Sequence, residues 1–449
     1  MMQFRQGTFK SLSKIGGAAM LVSLLGATAL TAETQVPVNV VINQSPWLEG
    51  FAAVADLYQD ETGNEVTLDV NPYAGSLEKQ RNAVRSSESE YDLLIINGIF
   101  YPEMYHGGFL EPLKNIDPDF DLDPQVYEYG GTPWFNAETK SIGKDTGDLL
   151  TVPVNPNVTL MFYRADLYEK NSWSAPTTFE ELAVNARALK TDKMYGIAQR
   201  AGRATVSITW DFFPYIQGFG GAYFRDSDGG DYFVTINSEE GRKALQTYVD
   251  LATELGPENS ANLTQGDLIQ LLVTGKLAHS VLPAAAWAQM DDPNKSAVVG
   301  KIGYATLPSA EGFTSTPALG HWLGGIPKNI PDANKEAALA FLDWFQQPET
   351  QIHYAELGGA PVSAAAYESD FADLPANRYM QAMRVASPLA KGMWTIPEGA
   401  ELAAIMELGL NRAVAGEISV VDALNSMAAD LEKILADAGY ETGRLPDLK

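Results

Sequence analysis

The sequence predicts an α/β protein in which helices cover mostly parallel sheets. Three observations predict it. Residues 38–96 alternate strand-like and helix-like patterns in a βαβαβ order, the rhythm of a parallel sheet with helical crossovers. The last strand of that series, Tyr91 to Ile96, is an apolar run of the kind buried on both faces. A chain of 449 residues, 45% of them hydrophobic, has ample core for two or three domain-sized units.

The elements follow in order. Val38, Val40 and Ile42 read as a buried strand, broken by Gln44-Ser45-Pro46. Phe51, Val54, Leu57 and Tyr58 fall at helical spacing up to Gly63. Val66, Leu68 and Val70 alternate as a second strand, and Leu77, Gln80 and Val84 mark a second helix. Ligands of open α/β sheets bind beyond the carboxyl ends of strands, where Trp47, Asn97 and Gly98 stand. A second unit begins near Asn155. Thr178 with Glu181 forms a capping box at a helix start. Leu245, Tyr248, Val249, Ala252 and Leu255 make a helical stripe closed by Gly256-Pro257. Ile302, Tyr304 and Ala305 read as a strand leaving this unit, and Leu339, Leu342 and Phe345 as a helix stopping at Pro348. Residues 397–436 pattern two more helices with a break at Gly416. The acidic stretch Asp226 to Asp231 lacks the spaced carboxylates and closing glutamate of a calcium loop and reads as a solvated hairpin.

The first residues carry a different signal. Arg5, Lys10 and Lys14 precede an apolar, Gly/Ala-rich stretch from Ile15 to Leu30, with no acid before Glu33. That stretch is short and small-residue for a membrane span, and Ala27-Thr28-Ala29 and Leu30-Thr31-Ala32 offer cleavage sites. Residues 1–32 are therefore expected to be a signal peptide, and the mature chain a soluble periplasmic protein. No cysteine is present, so neither a lipid-anchoring cysteine nor a disulfide is expected. The chain has 31 basic and 57 acidic residues, a net charge of −26. Such a balance disfavours nucleic acid and anionic membrane surfaces as partners. The charges are spread along the whole chain, so they speak for solubility and not for a cationic ligand.

Catalytic signatures are lacking. There is no GxxxxGK[ST] phosphate loop and no HExxH. His106, His279, His321 and His353 lie far apart, and thiolate sites are excluded without cysteine. No cofactor and no metal are expected.

Several segments together resemble a known family. They are Tyr91 to Ile96 followed by Gly107-Gly108-Phe109-Leu110-Glu111-Pro112-Leu113; Val152 to Asn157 with Leu160 to Tyr168 and Pro176 to Leu182; Gly196-Ile197-Ala198 with Trp210, Pro214, Gly220-Gly221 and Tyr223; Leu282-Pro283 to Trp287-Ala288; Gly320 to Lys328; and Leu357 to Val362. In this order, from about residue 36 to 436, they resemble the extracellular solute-binding proteins of the maltose-binding (family 1) type, the capture subunits of ABC importers. The resemblance implies a two-lobe, type II periplasmic binding protein fold with about three hinge crossings, each lobe a helix-flanked, mostly parallel sheet. Lobe 1 is expected over 33–153 plus 307–360 and lobe 2 over 154–306 plus 361–449, with crossings near Val152 and Leu307. It further implies a monomer without catalytic apparatus, a small-molecule carbohydrate ligand, and membrane permease subunits as partners.

A sugar ring has an apolar face of C–H groups and a rim of hydroxyls. Tryptophan covers the face at low entropic cost, and amides and carboxylates satisfy the rim. By their positions in the resembling segments, Trp47, Trp210, Trp287 and Trp322 are the candidate platforms, and Asn97, Asp211 and His321 the polar partners. Asn97 also stands where a strand end needs capping, and it is asparagine where many relatives show aspartate. Trp134, Trp173, Trp344 and Trp394 read as packing. Two other functions remain open: binding of a betaine-type compatible solute in an aromatic cage, and a secreted carbohydrate-active enzyme, which needs two carboxylates about 5–10 Å apart facing the cleft.

Overall fold

The computed structural model describes residues 35–203 and 207–449; the expected signal peptide lies outside the described residues. Residues 36–449 form one compact unit built on two principal mixed sheets. In chain order the strands of these two sheets are β1 (Val38–Asn43), β2 (Val66–Asn71), β3 (Leu93–Asn97), β4 (Thr151–Asn155), β5 (Thr159–Arg164), β6 (Tyr195–Ala198), β7 (Leu277–Pro283), β8 (Ile302–Ala305) and β9 (Trp322–Gly325). The helices that matter for the site are α1 (Leu48–Thr62), α2 (Tyr73–Arg85), α3 (Phe179–Leu189), α4 (Ser207–Gly218), α5 (Glu239–Leu255) and α6 (Gln265–Val273).

The first sheet has the order β2-β1-β3-β9-β4. Its parallel part is the βαβαβ unit: Val38 pairs with Val66, and Val40 with Leu93. Val38, Val40 and Ile42 pack into one apolar cluster, Val41, Leu94 and Ile96 into another. Both faces are therefore covered, as the apolar run at 91–96 requires. β9 runs antiparallel to both β3 and β4, with Trp322 opposite Asn97 and Asn155. It arrives from the second sheet beside the end where β3 leaves, so a direct entry must run backwards. β4 pairs with β9 alone and is an edge strand, which accommodates Pro153 and its missing N–H.

The second sheet has the order β8-β5-β7-β6. Only β6 and β7 are parallel; β5 is antiparallel to both of its neighbours. The chain passes from the first sheet to the second between β4 and β5, through Pro156-Asn157-Val158. Asn157 turns there at φ 43°, a left-handed conformation that asparagine tolerates. The return runs through residues 306–321. A third passage follows: Pro348–Glu356 packs on α1, whereas Arg378–Ala386 packs on β8.

Local signals read from the sequence appear where expected. Thr178 accepts from the Glu181 N–H (3.1 Å) and Glu181 accepts from the Thr178 N–H (3.3 Å), capping α3. Gly63 closes α1 at φ 76°. Asp226 and Asp231 face each other across a hairpin whose turn is held by the Gly229 N–H on the Asp226 carboxylate. The two C-terminal helices are Gly399–Val414 and Val420–Asp437, with Gly416 at φ 70° between them. Among the described residues, no helix is long and apolar enough to cross a membrane.

Candidate ligand-binding site

The carboxyl ends of β1, β3 and β6 converge on one cavity of about 340 Å³. This is the position the strand-end rule assigns to ligands of α/β sheets. The first sheet contributes Asn43 at the end of β1, Trp47 at the start of α1, Tyr73 opening α2, Asn97 ending β3 and Trp322 opening β9. The second contributes Arg200 just past β6, Trp210 on α4 and Gln265 opening α6. Asn157 lines the cavity from the first passage between the sheets.

Aromatic rings form the walls. Trp47 and Trp322 lie 5.8 Å apart at 54°, and Tyr73 meets Trp322 edge-on at 6.1 Å. Trp47 is itself braced edge-on by Phe51 at 5.8 Å. Trp210 lies against the backbone of the return passage: a Cβ on Gly320 would stand 2.0 Å from its Cζ2. Only glycine allows that approach.

The polar groups are amides, hydroxyls and one paired guanidinium. Asn97 Oδ1 accepts from the Tyr73 hydroxyl and the Ile99 N–H, both at 3.1 Å, so the strand-end cap and the cavity share one residue. The Asn43 Oδ1 and Ser45 Oγ atoms are buried without a hydrogen-bond partner among the described residues. Arg200 donates from Nε to Asp211 Oδ2 (2.9 Å), from its second terminal nitrogen to Asp211 Oδ1, and to Gln265 Oε1 (3.0 Å). It also sits 5.4 Å over the Trp210 ring. Burial pushes the Asp211 carboxyl up from its ordinary value. The bidentate contact with a permanently charged guanidinium opposes this and holds the pair ionised. Of the five guanidinium N–H groups, three are thus engaged by side chains among the described residues. No described residue lining the cavity is Asp, Glu or His.

Of the residues expected from the sequence, Trp47, Asn97, Trp210 and Trp322 are brought together here. Asp211 stands one layer back, acting on the cavity through Arg200. Trp287 does not line the cavity. It opens a short helix after β7 and stacks on Tyr379 at 4.1 Å and 8°, because Arg378–Ala386 packs where a ligand face was expected. His321 does not line it either: successive residues of an extended chain point to opposite sides, so with Trp322 in this cavity His321 faces another. Among the tryptophans read as packing, Trp344 lies on Tyr58 (5.1 Å) and donates to Glu61, and Trp173 lies edge-on to Tyr168. Sequence reasoning missed Asn43, Ser45, Tyr73, Arg200 and Gln265. Asn43 and Arg200 were within reach of the strand-end rule, since Asn43 ends an apolar strand and Arg200 stands two residues past another. Tyr73 and Gln265 carry no signal beyond a helix start.

Two sheets joined by three passages, with a ligand-sized cavity at the strand ends between them, are the layout of a two-lobe binding fold. The family model of the bacterial extracellular solute-binding proteins matches residues 43–352, and the chain belongs to that family. A probable amino-acid ABC transporter periplasmic-binding protein of Sinorhizobium fredii is 26% identical over 228 residues, 50% of each chain, so this chain spans about half the length of that relative. The erythritol/L-threitol-binding protein of Mycolicibacterium smegmatis is 19% identical over 411 residues, 84% of each chain. Among solved structures, maltose-bound MalE3 of T. maritima is similar at a TM-score of 0.76 and 22% identity, covering 89% of this chain and 100% of that one. The fold is the two-lobe type II periplasmic binding protein fold.

Proposed function

We propose that the protein is the periplasmic substrate-binding component of an ABC importer and captures an uncharged carbohydrate or polyol between its lobes. The observation that carries this reading is the cavity itself: indole and phenol faces for a sugar's C–H surface, amide and hydroxyl groups and a neutralised guanidinium for its rim. Membership of a family of solute-binding proteins supports a non-enzymatic role. Lobe 1 comprises 33–153 with 307–360 and lobe 2 comprises 154–306 with 361–449, although β4 carries the first sheet two residues past that limit. Ligand bound to both lobes favours the closed state, which the permease subunits recognise. The mature protein is a monomer freed of residues 1–32.

Arg200 beside Trp210 supports a second reading, a zwitterion such as a betaine or an amino acid. It ranks below the first because Asp211 already neutralises the guanidinium.

A thermal-shift screen against sugars, polyols, betaines and amino acids tests both. A true ligand at about 100 times its Kd adds about 2.7 kcal/mol, a shift of several degrees. The ligand should be recovered unchanged after incubation, and scattering should show a smaller radius of gyration in its presence. Turnover of the sugar, or stabilisation by zwitterions alone, overturns the first reading.

A further inference from the structure

A second cavity, of about 540 Å³, shares no lining residue with the first. It lies across the segment that enters β9, where His321 lines it and Trp322 does not. Its volume falls within the range of small-molecule sites.

Four of its lining residues hold buried polar atoms with no hydrogen-bond partner among the described residues. They are both ring nitrogens of His321, the Tyr129 hydroxyl, Thr132 Oγ1 and Ser315 Oγ. His321, Tyr129 and Thr132 are only 1%, 6% and 5% exposed. Each such atom costs about 1–3 kcal/mol unless something satisfies it, and native proteins leave few. The four residues that carry them line this one cavity.

The backbone is arranged to hold them there. Tyr129, Gly130 and Gly131 all have left-handed φ angles, 47°, 72° and 83°. Two glycines adopt this freely, but the tyrosine does so at a cost of about 1–2 kcal/mol, the kind of strain that gathers at ligand clamps. The turn sets the Tyr129 ring 5.7 Å from the His321 ring, which has Tyr101 at 5.8 Å on another side. Thr132 is fixed through its carbonyl, which accepts from the Tyr105 hydroxyl at 2.8 Å.

Burial keeps the His321 ring neutral, so it offers one donor and one acceptor; each hydroxyl offers both. The charged residues on the lining, Asp228 and Lys391, are exposed and opposite in sign. We infer that this cavity is a second binding site, for a small uncharged polyhydroxylated molecule held by His321, Tyr129, Thr132 and Ser315.

The test reads His321 directly, by NMR of the full mature protein labelled with 15N-histidine, its ring signals identified by their loss in His321→Gln. Xylitol is the probe, with glycerol as a smaller one. The His321 signals should shift saturably in the wild type and equally in Trp210→Ala, which removes a wall of the first cavity and no lining residue of the second. In Thr132→Val/Ser315→Ala, which keeps the shape and removes two hydroxyls, the midpoint should rise at least about tenfold. His321 signals unmoved by either polyol overturn the inference: the polar atoms then hold water. So does a shift that vanishes in Trp210→Ala, which reports one site felt at a distance, or a shift unaltered in the double variant. Failure of the first cavity to bind any sugar leaves this result unaffected, because a shift that persists in Trp210→Ala does not depend on that cavity.

Discussion

Gly320 and Trp210 come from different sheets' connections yet meet without space for one carbon: a Cβ at 320 would stand 2.0 Å from Trp210 Cζ2 and 2.5 Å from its neighbour Cη2. The indole is a broad ring held by α4, so it cannot yield as a flexible side-chain end would. Gly320→Ala should therefore tilt Trp210 out of the cavity wall. Calorimetry with the cognate ligand should show at least about a tenfold loss of affinity, with about 1–3 kcal/mol of stability lost to overpacking. Unchanged affinity would mean that the Trp210 ring is not a ligand wall.

Trp210→Ala and Trp322→Ala should each weaken binding by about 2 kcal/mol, or about thirtyfold, as central aromatic anchors do. Trp287→Ala is the contrast. It breaks the stack on Tyr379 and should lower the melting temperature while leaving affinity near wild type. The three titrations, run beside melting curves, separate ligand walls from packing.

The Arg200–Asp211 pair is buried on both sides, 4% and 0% exposed. Asp211→Ala leaves a buried cation with Gln265 as its remaining partner, and should cost about 3–5 kcal/mol in urea denaturation. Replacing both residues, as Arg200→Met/Asp211→Leu, should cost less than the single change, because no uncompensated charge remains. A double variant worse than the single one would show that the pair does more than neutralise itself.

Acid should destabilise the protein in a defined window. Burial lowers His279 to about 4 and His321 to about 3, against 6.5 in the unfolded chain. His279 donates from Nδ1 to the Gly196 carbonyl (2.7 Å) and accepts at Nε2 from the Tyr168 hydroxyl (2.6 Å), an arrangement that requires the neutral ring. The unfolded chain then binds more protons than the folded one below pH 6.5. Their contribution is complete above that pH and falls as the pH drops toward 4 for His279 and toward 3 for His321, by up to about 1.4 kcal/mol per pH unit for each. His279→Gln, which keeps one donor and one acceptor and does not titrate in this range, should flatten the fall in urea midpoint between pH 6.5 and 4. An identical slope in wild type and variant would refute this assignment.

The βαβαβ start, the capping box at Thr178 and Glu181, the stripe along α5 and the two C-terminal helices were legible because each depends on neighbours a few residues apart. Periodicity reports which face is buried, and capping residues report where a helix begins. Trp47 and Asn97 were legible for the same reason, since a strand's end is a local feature and its carboxyl end is where α/β sheets bind ligands. The antiparallel entry of β9 was not, because strand direction within a sheet depends on where the chain returns from.

The sequence by itself determined the family, the class of fold and the strand ends that line the first cavity, since these rest on ordered local patterns. Only the tertiary structure decided that Trp287 stacks on Tyr379, that Asp211 is taken by Arg200, and that His321 and Trp322 serve separate cavities. The physical reason is contact range. A side chain's partner is set by residues such as Tyr379, 92 positions from Trp287 in the numbering, which packing brings together and no local pattern records.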